Sequence, residues 1–96
     1  MPTKSPKILI IEDEKVISKA YQLGFAHEGF KTVAAYDGKE GLEMAKKEKP
    51  DLILLDIIMP VMDGLTMLSE LRKQEWGKDM KVLVLTNSSD QAKTAE

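Results

Sequence analysis

Cysteine is absent from the 96 residues, which excludes disulfides, thiolate metal centres and thiol catalysis together. Arginine is almost absent: Arg72 stands alone beside thirteen lysines, so a phosphate clamp built from paired guanidinium groups is not available. An excess of charge is also missing. The 14 Lys and Arg nearly balance the 16 Asp and Glu, for a formal charge of -2, and no nucleic-acid surface is expected from such a balance. The opening MPTKSPK is polar, is broken by two prolines and lacks the apolar core of a signal peptide. No apolar run is long enough to cross a bilayer, so a soluble cytoplasmic protein without a membrane partner is expected. Gly38, Gly41 and Gly64 do not fall at nucleotide-binding spacing, and there are no internal repeats or low-complexity linkers.

What is present fits one small domain. A hydrophobic content of 43% supports a single core without much to spare. Four short runs rich in Ile, Leu or Val have strand length: KILII at 7–11, KTVAA at 31–35, LILLD at 52–56 and KVLVLT at 81–86. Three of them lack the alternation of a half-wet strand, which suits the centre of a parallel sheet covered on both faces, while KTVAA reads as an edge. Between the runs lie segments of helical period. Val16, Ala20 and Leu23, with Ile17, Tyr21 and Gly24, predict one stripe, closed by Gly29. The segment from Asp37 to Lys49 opens with DGKE, in which Asp37 caps and Glu40 reaches back, and it ends in lysines before Pro50. Leu65, Leu68 and Leu71 predict a third helix from about Gly64 to Gln74. The β-α-β-α-β-α-β order implies a doubly wound α/β sheet. Trp76 and the six methionines are expected to pack or to anchor loops, His27 to be a polar residue near a helix end, and KKEK at 46–49 to be a solvated helix end.

Acid collects at two strand ends, with Glu12-Asp13-Glu14 after the first strand and Asp56 at the close of the third. In doubly wound sheets the site lies outside the carboxyl ends of the strands where strand order reverses, which for the order 2-1-3-4-5 is between strands one and three. Glu12, Asp13 and Asp56 are then expected to meet in one crevice. Three carboxylates there repel one another unless some are protonated or a cation neutralises them. An all-oxygen donor set, with no Cys and only a distant His27, suits Mg²⁺ better than zinc; calcium stays open, although no EF-hand loop is present. An Asp beside a metal suggests phosphoryl chemistry with the carboxylate as nucleophile. Thr86, at the end of the fourth strand, and backbone N–H groups around Ile57 and Asn87 are candidates to hold phosphoryl oxygens.

The segments ILIIEDE, LILLDIIMPVMDG and VLVLTNSS, in this order, resemble those of response-regulator receiver domains of two-component signalling, and the resemblance runs from Lys7 to Asp90. It implies a flavodoxin-like parallel sheet of order 2-1-3-4 and a phosphoacceptor signalling domain rather than an enzyme. Asp56 would take a phosphoryl group from the phosphohistidine of a sensor histidine kinase. Asp13, Asp56 and the backbone carbonyl of Ile58 would hold Mg²⁺ directly, and Glu12 mostly through water. Thr86 would move toward the phosphoryl group as part of a switch, and Pro60 and Gly64 would shape the loop after the acceptor. The family continues with a further helix, a fifth strand that begins with a phosphate-pairing Lys, and a last helix. Residues 87–96 read instead as a polar tail or the start of a fourth helix, and Lys93 does not follow an apolar strand. The expectation is therefore a single truncated receiver domain over 1–96, lacking the fifth strand and last helix. Its open fourth strand is expected to drive homo-oligomers or segment-swapped dimers. The competing function is a non-signalling scaffold that assembles through that edge. A phosphatase with an Asp nucleophile is a distant third, because Ile58 occupies the position of its general acid.

Overall fold

The computed structural model describes residues 5–56 and 64–85. Seven elements follow one another: β1 (Lys7–Ile11), α1 (Lys15–His27), β2 (Lys31–Ala35), α2 (Gly38–Glu48), β3 (Leu52–Asp56), α3 (Gly64–Arg72) and β4 (Val82–Leu85). Among the described residues the strands form one parallel sheet in the order β2-β1-β3-β4. This is the flavodoxin-like order expected from the sequence. The expected strand ends agree within one residue, except that Thr86 lies outside the described residues, as do 57–63 and 87–96.

Alternation along the strands sends their side chains into two cores. Leu9, Ile11, Ile53 and Leu55 point toward α2 and α3, where Ala45, Met67 and Leu71 close the core and Trp76 packs against it. Ile8, Ile10 and Leu54 face the other way and meet Tyr21 and Phe25 of α1, with Phe30 and Leu85 alongside. Burial of each such Ile or Leu stabilises the fold by about 1.5–3 kcal/mol. The helix α2 lies close on β1: a Cβ added at Gly41 would stand 2.6 Å from Cδ1 of Ile11.

Helix ends follow local chemistry. Asp37 accepts a hydrogen bond from the Glu40 N–H at 2.8 Å, and the Glu40 carboxylate accepts one from the Tyr36 N–H at 2.7 Å, so α2 starts with a reciprocal cap of the expected kind. At the end of α1, Gly29 takes φ +97°, the Phe30 N–H donates to Phe25 O and the Gly29 N–H to Ala26 O. That pattern satisfies two carbonyls left over at the helix end, and the rings of Phe25 and Phe30 lock it edge to face at 5.9 Å. Arg72 has a structural task here, with Nη1 donating to the carbonyls of Gly77, Lys78 and Met80 and thereby pinning the turn from α3 to β4.

Two helix faces agree with the expected ones only in part: Tyr21 of the α1 stripe and Leu68 and Leu71 of the α3 stripe meet the core. Val16, Ile17 and Leu23 are exposed, at 83%, 41% and 63%, and the side of α1 that meets the sheet carries Ser18, Tyr21 and Phe25. Apolar residues on α1 fall in two overlapping phases, and the aromatic phase, with more area to bury, is the one that faces inward. In α3 Met67 joins the expected Leu71 and Leu68 on the core side, and Leu65 of the expected stripe is 61% exposed.

Candidate metal and phosphoacceptor site

The parallel register places the ends of β1 and β3 side by side. Ile11 pairs with Leu55, so the chain delivers Glu12 and Asp56 to neighbouring positions at the carboxyl end of the sheet. The Glu12 N–H still donates to Ala35 O at 3.1 Å, which extends the anchorage of β1 on β2 by one residue. The chain then turns through Asp13 and Glu14 into α1. One oxygen each from Glu12, Asp13 and Asp56 lie within 4.8 Å of one another, with Glu12 buried and the two aspartates partly buried. The crevice expected from the strand order thus brings together all three acids that fall within the described residues. Ile57, Ile58, Thr86 and Asn87, also expected at the site, lie outside those residues, as does Pro60.

Crowding has an electrostatic cost that Glu12 registers. Burial pushes its carboxyl up from 4.5 to about 7, the charges of Asp56 and Asp13 push the same way, and the hydrogen bond from the Glu14 N–H, at 3.0 Å, opposes them. At neutral pH the group is poised between its acid and its carboxylate. A divalent ion relieves both the desolvation and the repulsion, and the donor set, three carboxylates and no soft ligand, fits a hard oxygen-seeking ion such as Mg²⁺.

Two residues at the rim carry no signal in the strand and helix patterns. Lys15, the first residue of α1, places its ammonium 5.3 Å from the centre of the Tyr36 ring, and Tyr36 directly follows β2. Their pairing joins two separate elements, so no periodicity along the chain announces it.

The described fold and its acid crevice define a class, and comparison with known proteins agrees. The family described as "Response regulator receiver domain" matches residues 8–96, and the chain belongs to that family of signalling domains. It is 41% identical over 69 residues to the alkaline phosphatase synthesis transcriptional regulatory protein PhoP of Bacillus subtilis, which covers 72% of this chain but only 29% of PhoP. Its fold matches the Vibrio cholerae chemotaxis protein CheY4 with a TM-score of 0.81 at 27% identity, over 96% of this chain and 80% of that one. It also matches the receiver domain of the sensor histidine kinase PA1611 from Pseudomonas aeruginosa, a structure with a magnesium ion coordinated in the active site cleft. There the TM-score is 0.86 at 27% identity, over 97% of this chain and 76% of that one. Among the described residues no helix is long and apolar enough to cross a membrane.

Proposed function

We propose that the chain is a phosphoacceptor receiver domain, a single unit over residues 1–96 that takes a phosphoryl group on Asp56 from a sensor histidine kinase. The observation that carries this proposal is the convergence of Glu12, Asp13 and Asp56 at the carboxyl end of the sheet. An Asp56 carboxylate oxygen attacks phosphorus in line with the P–N bond of a phosphohistidine. The O–P bond of an acyl phosphate forms, the P–N bond breaks, and the electron pair returns to the imidazole nitrogen. Asp13, Asp56 and the Ile58 carbonyl would hold Mg²⁺, with Glu12 acting through water, and the ion held there would supply charge neutralisation for nucleophile and phosphoryl group. The Thr86 hydroxyl and the N–H groups of Ile57 and Asn87 receive the phosphoryl oxygens, and the movement of Thr86 carries the change toward a partner. A cytoplasmic location goes with this function.

Incubation with Mg²⁺ and a small acyl phosphate, followed by separation on a phosphate-affinity gel, tests the proposal. A retarded band in the wild type that is lost in Asp56→Ala is expected; no retarded band in the wild type, or one that persists in Asp56→Ala, would refute it.

A second reading has its own observation. Leu83 and Val84 of β4 are 53% and 39% exposed, and among the described residues β4 pairs with β3 alone. Apolar side chains on a strand with one edge unpaired among the described residues favour strand addition, so in this reading the domain is an assembly module whose partner is a second copy of the chain. Sedimentation at high concentration distinguishes the two: a dimer lost on Leu83→Lys supports assembly, and a monomer throughout removes it.

A further inference from the structure

At the amino ends of its strands the fold gathers three lysines around one hollow. Lys7 opens β1 and Lys31 opens β2, and the parallel register sets them side by side. Lys49 directly follows α2. All three line an open cavity of about 530 Å³, together with Glu48 and Asp51. The acids and the end of α2 already have donors. Lys7 Nζ donates to Glu48 Oε1 at 3.0 Å and to the Glu48 carbonyl at 3.2 Å, the Lys7 N–H donates to Asp51 Oδ2 at 2.8 Å, and the Lys49 N–H to the Ala45 carbonyl at 3.1 Å. Lys31 and Lys49, both exposed, have no ion pair or side-chain hydrogen bond among the described residues. The cavity wall thus carries one cation more than it has acids, and its two unmatched ammonium groups come from separate elements.

Two features here weaken the fold. Lys49 takes φ 49° and ψ 59°, the left-handed region in which glycine is at ease and a side chain is strained. Lys7 and Lys31 place like charges at paired positions of neighbouring strands, where they repel. Both features bring positive charge to the same cavity, and local strain that serves no packing purpose is a pointer to function. We infer that the cavity is an anion site, in which Lys31 and Lys49 hold a small dianion, a phosphate group either free or carried on a small organic body. Two ammonium groups match its charge, and lysine binds phosphate as a point charge without the planar fork of arginine. Lys7 is a positioning residue: engaged by Glu48, it keeps the acid of the wall neutralised. The site lies at the opposite end of the sheet from Glu12, Asp13 and Asp56 and is independent of the function proposed for them.

NMR titration of the whole chain without Mg²⁺ tests the site, with inorganic phosphate and glycerol 2-phosphate as probes at pH 8 and constant ionic strength. Saturable shifts of the Lys31, Lys49 and Asp51 amides are expected in the wild type. Lys31→Met and Lys49→Gly are each expected to weaken binding about three- to five-fold, the size of effect one exposed charge pair supports. Lys49→Gly relieves the strained backbone and is expected to fold more stably than the wild type, so a loss of binding there is not a loss of fold. Lys47→Met removes a cation from the same end of α2 but outside the cavity lining, and binding is expected to stay at the wild-type value. Tighter binding of the ester assigns the cavity to an organic phosphate and equal binding to the free ion, and either supports the site. Shifts that do not saturate, or that weaken as much in Lys47→Met as in Lys31→Met and Lys49→Gly, would overturn it, because a basic surface without a site behaves in that way.

Discussion

At the amino ends of its strands the sheet holds Glu48 and Asp51 beside Lys7; at the carboxyl ends it holds Glu12, Asp13 and Asp56. The lower acids are matched by the protein's own donors. Lys7 Nζ lies 3.0 Å from Glu48 Oε1 and also donates to the Glu48 carbonyl at the end of α2, while the Lys7 N–H donates to Asp51 at 2.8 Å. These groups line an open cavity of about 530 Å³, with Lys31 and Lys49 nearby. At the upper end three carboxylates lie within reach of one ion, and the lysine next to them is turned onto an aromatic ring. One end uses acid to fasten β1, β3 and α2 together. The other keeps acid concentrated, which costs stability and gives a donor set that suits a cation. Acids on the same sheet are thus arranged in two ways, each bonded to Lys7 at one end and gathered within reach of one another at the other.

The largest expected effect comes from relieving the upper end. Because folding raises the Glu12 carboxyl from 4.5 to about 7, the folded chain holds a proton there that the unfolded chain gives up. The contribution of this group to stability is thus fully present below pH 4.5 and is lost as pH rises through about 7. Glu12→Gln should stabilise the metal-free protein by about 1–3 kcal/mol at pH 8 and leave it unchanged near pH 4, as read from urea unfolding at the two pH values. At the lower end the sign reverses. Lys7→Met removes the partner of Glu48 and should cost about 1–2 kcal/mol in the same unfolding assay while leaving Mg²⁺ affinity at its wild-type value. A change in Mg²⁺ affinity there would break the division between the two ends. Asp37→Ala, which opens the cap of α2, should cost about 1 kcal/mol by thermal unfolding. The smallest effect belongs to Lys49, which ends α2 in the left-handed region at φ 49°. Lys49→Gly should stabilise by about 0.5–1 kcal/mol, again measured by thermal unfolding.

The strand bodies are legible in the sequence because an unbroken apolar run such as LILLD has few other uses in a small domain, and the reciprocal cap of α2 is legible because its chemistry is local. The acids can be read as a site because strand ends fix them: Glu12 after Ile11 and Asp56 after Leu55 are neighbours once β1 and β3 pair. Helix faces are harder. In α1 the stripe through Val16, Ala20 and Leu23, with Ile17, Tyr21 and Gly24, is wider than the face that meets the sheet, and periodicity alone does not say that Tyr21, with Ser18 and Phe25, marks its centre. The contact between Lys15 and Tyr36 is illegible for a different reason. It joins the start of α1 to the residue that follows β2, the two far ends of one α-β unit, and only the assembled sheet brings them together.

The central claim is that the upper acids are held for an outside cation, and calorimetric Mg²⁺ titration at pH 8 of the wild type against Asp13→Ala/Asp56→Ala tests it most directly. One ion bound per wild-type chain and none in the double variant is the predicted result. Binding that survives in Asp13→Ala/Asp56→Ala with unchanged affinity would contradict it.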